Sequence, residues 1–191
     1  MMNVPSSFKK YVSLIIVLGV CFSCIKDTDF EQHEPLVITP TMEVSLVQVQ
    51  EPAASFVDVS GAELPFISDQ VILEVFTSEF INDNLTKAEL VFGITNSINK
   101  AFQIKIDFYD SGDTLQHTFS IDIENSPTNA PLLTEHIEVF ENMNLSALKS
   151  TNKLDITITL ISNPTDPVIT SDSDGSIILV SKGIFYLNIS S

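Results

Sequence analysis

The chain has 191 residues, with nine Lys, no Arg and 25 Asp plus Glu, and a formal charge of −16. At 44% hydrophobic and 18% charged it is too apolar for a disordered acidic chain, and it is too short for two ordinary domains. The acidic balance without Arg excludes a binder of nucleic-acid phosphates, and two Cys exclude a disulfide scaffold.

The first element is a targeting segment. Lys9 and Lys10 supply a positive start, and Tyr11 to Phe22 form an apolar run of 12 residues. That run fits the core of an export signal and falls short of the ~20 residues needed to cross a bilayer. It ends at Ser23-Cys24, where the sequence turns abruptly polar. A small residue followed by Cys at this point resembles a bacterial lipobox, although Cys21 and Phe22 depart from its usual pattern. The resemblance implies cleavage before Cys24 and acylation of Cys24, so residues 1–23 are read as a lipoprotein signal peptide. The next residues, Cys24-Ile-Lys-Asp-Thr-Asp29, resemble the tether of Bacteroidota lipoproteins, and the opening through Phe30 is similar to flavobacterial-type members of that group. That resemblance implies an outer-membrane address, with Lys26, Asp27 and Asp29 as a surface-export tether. It leaves the cell surface and the periplasmic face both open.

Cleavage before Cys24 would leave 168 residues with a formal charge of −18, because Lys9 and Lys10 are lost. Cys21 leaves with the signal and Cys24 is acylated, so thiol catalysis, disulfides and Cys-based zinc sites drop out together. Anchoring would rest on acyl chains worth ~0.8 kcal/mol per buried methylene.

Residues 24–41 are acidic and interrupted by Pro35 and Pro40, and they read as a spacer. At ~3.3 Å per residue such a spacer reaches ~55 Å. Residues 42–191 then form one domain of ordinary size.

That domain reads as strands. Met42 to Gln50 is the first candidate. Val71, Leu73 and Val75 lie in a run apolar on both parities, which predicts a strand covered on both faces. Glu79 to Leu85 predicts a helical turn or two. Leu90, Phe92 and Ile94 alternate in the run before Asn96. Phe102 to Ile121 holds two alternating runs around Asp110-Ser-Gly-Asp113, which predicts a hairpin. A two-residue loop at Ser111-Gly112 sets Phe108 opposite Leu115, Ile106 opposite His117, Ile104 opposite Phe119 and Phe102 opposite Ile121. Thr134 to Phe140 is another strand, and Asn144 to Ser150 a short helix. Leu154, Ile156, Ile158 and Leu160 alternate against Asp and Thr. Ile177 to Ile189 closes the series with a bend near Ser181-Lys-Gly183. The expected fold is all-β, an antiparallel two-sheet sandwich of about 7–9 strands with one or two short helical turns. The stretch Lys87 to Ile123 resembles immunoglobulin-like sandwiches, which implies that arrangement.

Candidate chemistry is sparse. The three imidazoles are His33 in the spacer, His117 on the apolar hairpin face and His136 beside Glu135, whose side chain points to the opposite strand face. No Gly-x-Ser-x-Gly, His-Glu-x-x-His or phosphate-binding glycine loop occurs. Asp172, Asp174 and Gly175 fit positions three, five and six of a calcium loop. The ends of that loop are Thr170 and Ser181, where acids belong, so these acids are weak metal candidates. Sugar sites usually offer aromatic platforms, and after cleavage only Tyr109 and Tyr186 remain. Asp113-Thr-Leu115 resembles the Bacteroidota O-glycosylation pattern, which makes Thr114 a candidate acceptor. The expectation is a lipid-anchored, non-enzymatic structural or interaction module without a cofactor. The bilayer would be held through Cys24, and an unidentified protein or glycan would be the partner. The alternative is a glycan-binding accessory surface lipoprotein.

Overall fold

The computed structural model of the chain describes residues 37–162 and 166–190, apart from the side chain of Thr77. Strands dominate because apolar residues recur at every second position over long stretches, and such a period buries one face of a pleated ribbon. In chain order they are β1 (Val37–Ile38), β2 (Thr41–Pro52), β3 (Phe66–Ile72), β4 (Leu85–Asn96), β5 (Ala101–Tyr109), β6 (Leu115–Ile123), β7 (Leu132–Glu141), β8 (Lys153–Ile161), β9 (Ser176–Leu187) and β10 (Ile189–Ser190). Two short helices, α1 (Glu79–Asn84) and α2 (Met143–Ser150), precede β4 and follow β7.

Eight strands form two antiparallel sheets of four, in the orders β2-β9-β4-β7 and β3-β8-β5-β6. We call them sheet one and sheet two. β1 and β10 pair separately, Val37 with Ser190 and Ile38 with Ile189. Val37 and Ile38 therefore belong to the compact unit that spans Val37–Ser191, although the sequence placed them in the spacer. The fold is an all-β sandwich.

The core lies where the inner rows of the two sheets face each other. Leu90, Phe92 and Ile94 of β4 meet Ile104, Ile106 and Phe108 of β5, and all six are fully shielded from solvent. Burying an aliphatic or aromatic side chain of this size stabilises by about 1.5–3 kcal/mol, so these rows carry the sandwich. Phenylalanine rings bridge the layers. Phe56 lies 5.0 Å from Phe102, Phe76 5.6 Å from Phe185, and Phe108 5.5 Å from Phe140, in tilted or edge-on pairs that suit the ring quadrupole.

Three details depart from the sequence expectations. The β5–β6 hairpin forms with the expected apolar face, but its register is displaced by two residues. Phe108 lies opposite His117, Ile106 opposite Phe119, Ile104 opposite Ile121 and Phe102 opposite Ile123. The cause is the turn. Asp110 Oδ1 accepts the Gly112 and Thr114 amides at 2.8 and 2.9 Å, and Asp113 takes a left-handed conformation at φ 59. A turn closed this way holds one residue more than a two-residue loop, and a bulge follows between Phe108 and Tyr109. A shift of two preserves side-chain parity, which is why the apolar face survives.

The run through Val71 to Val75 is not a doubly covered strand. Its strand, β3, starts at Phe66 and lies at the edge of sheet two, and the chain leaves it after Ile72 to make a 3-10 turn over Val75–Thr77. Leu73 and Phe76 are buried from that turn rather than from a strand. Finally, β9 runs unbroken through Ser181-Lys-Gly183. The Phe185 ring covers the bare face of Gly183, where an added Cβ would come within 2.7 Å of it. The irregularity falls on the neighbour instead, as a register shift in β2 between Ser45 and Val47.

Candidate functional site

The outer faces of the two sheets differ in chemistry. On sheet two, the middle of the outer face is a ladder of hydrogen-bonded polar pairs. Gln103 Nε2 donates to Asp122 at 2.9 Å and Gln70 Nε2 to Asp155 at 2.7 Å. Lys105 Nζ lies 2.8 Å from Asp107, and Thr118 donates to the same carboxylate. The bond to Asp107 raises the Lys105 pKa above its usual value. Each of these donors has its acceptor within the sheet, while Lys153 at the start of β8 reaches Asp113 in the neighbouring turn.

Sheet one presents the opposite. Between its buried inner positions, β4, β7 and β9 turn outward Val91, Leu133, Ile137, Val139 and Val180, of which the last four are exposed. A depression of about 460 Å³ opens over Gly93, bordered by Val91 and Val180, with Glu135 and Lys182 at its rim. Gly93 creates the hollow by lacking a side chain between Val180 and Leu133. Apolar ground with a few charges around it is the usual composition of a surface that meets another molecule.

A second feature joins the sheets where β6 and β7 lie at corresponding edges. The Glu138 carboxylate accepts a hydrogen bond from His117 Nε2 at 2.7 Å and another from His136 Nε2 at 3.0 Å. The His136 ring stacks on Phe119 at 4.9 Å, and His117 stands edge-on to Phe140 at 4.9 Å. Both imidazoles are thus held by one carboxylate and by aromatic faces, and no Ser or Thr is bonded to either ring nitrogen Nε2. The two ends of β6 and β7 that carry these residues are fastened across the sandwich.

The remaining sequence candidates lie apart. Cys24, Lys26, Asp27, Asp29 and His33 are outside the described residues. Thr114 is exposed at the tip of the β5–β6 hairpin, and its amide hydrogen bond to Asp110, with the Gly112 amide, lowers the Asp110 pKa below the ordinary carboxylate range. Asp172 and Asp174 sit in a turn closed by Ser173 N–H donating to Thr170 O at 3.0 Å. Gly175, which ends that turn at φ +101, packs so closely that a Cβ there would lie 2.3 Å from Ser97 O. Asp174 lines a small cleft of about 220 Å³ beside Ile98 and Asn129. Among the described residues no group of three His, Cys, Asp or Glu could hold a metal ion. His117 faces Phe108 rather than Ile106, because of the register shift.

Both tyrosines carry a lysine over the ring. Lys153 Nζ lies 5.0 Å from the Tyr109 centroid and Lys87 Nζ 5.1 Å from that of Tyr186. Each ammonium is also bound to an acid, Asp113 at 2.6 Å and Glu89 at 2.6 Å, which raises both lysine pKa values. A stacked sugar would have to displace these cations from the ring faces.

One further group carries no signal in the local sequence. Lys100 is 3% exposed and its Nζ lies 3.2 Å from Glu63 Oε1, the same oxygen that accepts the Ile169 amide at 2.8 Å. One buried cation and one carboxylate thereby bind three loops at the end opposite α1 and α2. Removing either partner would leave an unpaired charge, so the pair acts as a structural pin.

No protein-family model matches the chain, and no curated protein matches it. Among solved structures, it is similar to a protein of Parabacteroides distasonis described as secreted, at 10% identity with a TM-score of 0.49, over 63% of this chain and 37% of that one. It is similar to an exo-beta-agarase at 13% identity with a TM-score of 0.42, over 78% of this chain and 22% of the enzyme. It is also similar to the VP2 subviral particle of infectious bursal disease virus at 11% identity with a TM-score of 0.36, over 83% of this chain and 42% of that one. The chain spans less than half the length of each, and the activities of those proteins do not pass to it through such partial likenesses. Among the described residues no helix is long and apolar enough to cross a membrane.

Proposed function

We propose that the protein is a lipid-anchored cell-envelope module of the outer membrane, held by acyl chains on Cys24, whose sandwich serves as a non-enzymatic structural or interaction domain. The observation that carries the anchoring is Ser23-Cys24 at the end of the apolar run that follows Lys9 and Lys10. Lys26, Asp27 and Asp29 support display beyond the membrane. The interaction role is supported by the apolar outer face of sheet one beside the self-satisfied polar face of sheet two.

The test of anchoring is fractionation of cells that make the full chain or Cys24→Ala. The native chain should sediment with membranes and enter the detergent phase, while the variant should appear in the aqueous fraction. Equal membrane partitioning of the two would contradict acylation at Cys24.

A further inference from the structure

A four-stranded sheet has two edges, and each offers a row of backbone donors and acceptors to another strand unless something blunts it. Three of the four edges here are blunted. β2 is broken by the register shift at Ser45/Val47 and ends in Pro52. β3 has only seven residues and follows Pro65. β6 is interrupted by the bulge beside its turn. β7 is different. Its ten residues pair with β4 in an unbroken register from Lys87↔Glu141 to Asn96↔Leu132, with neither Pro nor Lys among them. Its other side has no strand partner among the described residues. Its outward side chains Leu133, Ile137 and Val139 are 61%, 54% and 41% exposed. With Glu135 and Glu141 set between and beside these apolar residues, a long edge in unbroken register of this kind is a site of strand addition.

We propose that the occupant of this edge is a second copy of the same chain, paired antiparallel through β7 about a two-fold axis at Ile137, so that two copies of sheet one become one eight-stranded sheet. The charge pattern of β7 selects this partner and this register. With Ile137 opposite itself, His136 lies opposite Glu138 of the second copy, and the reverse pair repeats across the axis. On the outer face Glu135 meets Val139 of the second copy and Leu133 meets its Glu141, so no acid faces an acid. Sliding one step toward the C-terminus sets Glu138 against its own copy. Sliding one step the other way sets His136 against His136. A two-fold contact must be self-complementary, and β7 is so in the central register. Ile137 would then pack against Ile137 of the second copy, with Val139 diagonal to it, which joins the apolar ground around Gly93 of the two copies at the axis. The pairing does not depend on where the chain is anchored.

The test is oxidative cross-linking of the full-length chain in detergent, with the native chain as the background lane for Cys21 and Cys24. Opposed residues in an antiparallel pair have Cα atoms about 4.5–5.5 Å apart, within the range a disulfide spans. Ile137→Cys should give a band of twice the mass on copper–phenanthroline treatment. Val180→Cys, equally exposed on the same face but away from the edge, should give no more than background. Sedimentation of Ile137→Lys, which sets two ammonium groups face to face, should show a dissociation constant raised roughly 100-fold with an unchanged circular dichroism spectrum. A native chain that is monomeric at high micromolar concentration, or cross-linking as strong at Val180→Cys as at Ile137→Cys, would overturn the proposal.

Discussion

The two outer faces of the sandwich are built from the same alternation and solve it differently. On sheet two the middle of the outer face is Asp, Thr, Gln and Lys bonded to each other across the strands, and its exposed apolar residues Phe66 and Ile72 are confined to the two ends of the edge strand β3. On sheet one the corresponding positions include Val91, Leu133, Ile137, Val139 and Val180, with Glu89, Glu135 and Lys182 set among them. Both faces are backed by buried inner rows, Leu90, Phe92 and Ile94 behind one and Ile104, Ile106 and Phe108 behind the other. An exposed apolar face is what a contact surface looks like before its partner is present.

Substitutions can sharpen that contrast, beginning with the interior that both faces share. Phe108→Ala removes a ring that contacts Phe119, Phe140 and His117 at 5.5–5.9 Å between centroids. It should lower unfolding stability by about 3–5 kcal/mol in urea titration of the chain. On the outer face of sheet two, Asp107→Ala would strip the acceptor from Lys105 and Thr118 and cost about 1–2 kcal/mol. On the outer face of sheet one, Val180→Ser should move stability by no more than about 0.5 kcal/mol, and it should reduce binding of a hydrophobic dye. If Val180→Ser destabilised as much as Asp107→Ala, the two faces would not differ in the way described. Gly93→Ala should be neutral or stabilising by about 0.5 kcal/mol, because an added Cβ meets Val180 at an ordinary 3.5 Å, and it would begin to fill the depression.

The smallest effect concerns pH at the β5–β6 turn. Amide hydrogen bonds from Thr114 and Gly112 hold the Asp110 pKa below the ordinary aspartate value of 3.8, so the folded turn favours the ionised form. The stabilisation from this group is therefore present above the unfolded value and lost as pH falls through the lowered one. Carboxyl titration by NMR should give Asp110 a midpoint below 3.8, with the Gly112 and Thr114 amide shifts following it. A midpoint at or above that value would contradict the turn geometry.

Much of the architecture was legible because alternation is a strong local signal. Leu90 to Ile94, Phe102 to Phe108 and Leu154 to Leu160 each display one buried parity, and each became a strand with that parity inward. The hairpin register escaped because Asp110 closes the turn through its side chain, which lengthens the loop without changing the alternation on either side. The run through Val75 misled for a related reason. Leu73 and Phe76 are buried, but from a 3-10 turn, and apolar content alone does not separate the two. The convergence of His117 and His136 on Glu138 joins strands of different sheets, so neither residue's local sequence indicates the other. The edge position of β7 follows from the order β2-β9-β4-β7, in which sheet neighbours are distant in sequence. The self-complementary pattern of Glu135, His136, Ile137, Glu138 and Val139 was present throughout, and it acquires meaning only once the strand is known to be an edge.

Amide hydrogen exchange measured at low and high protein concentration tests most directly whether sheet one, through β7, is the contact surface. The account predicts that exchange within β7 slows as concentration rises, while the other three edge strands, β2, β3 and β6, keep their rates. Exchange in β7 that is independent of concentration, or protection that arises at β3 or β6 instead, would contradict it.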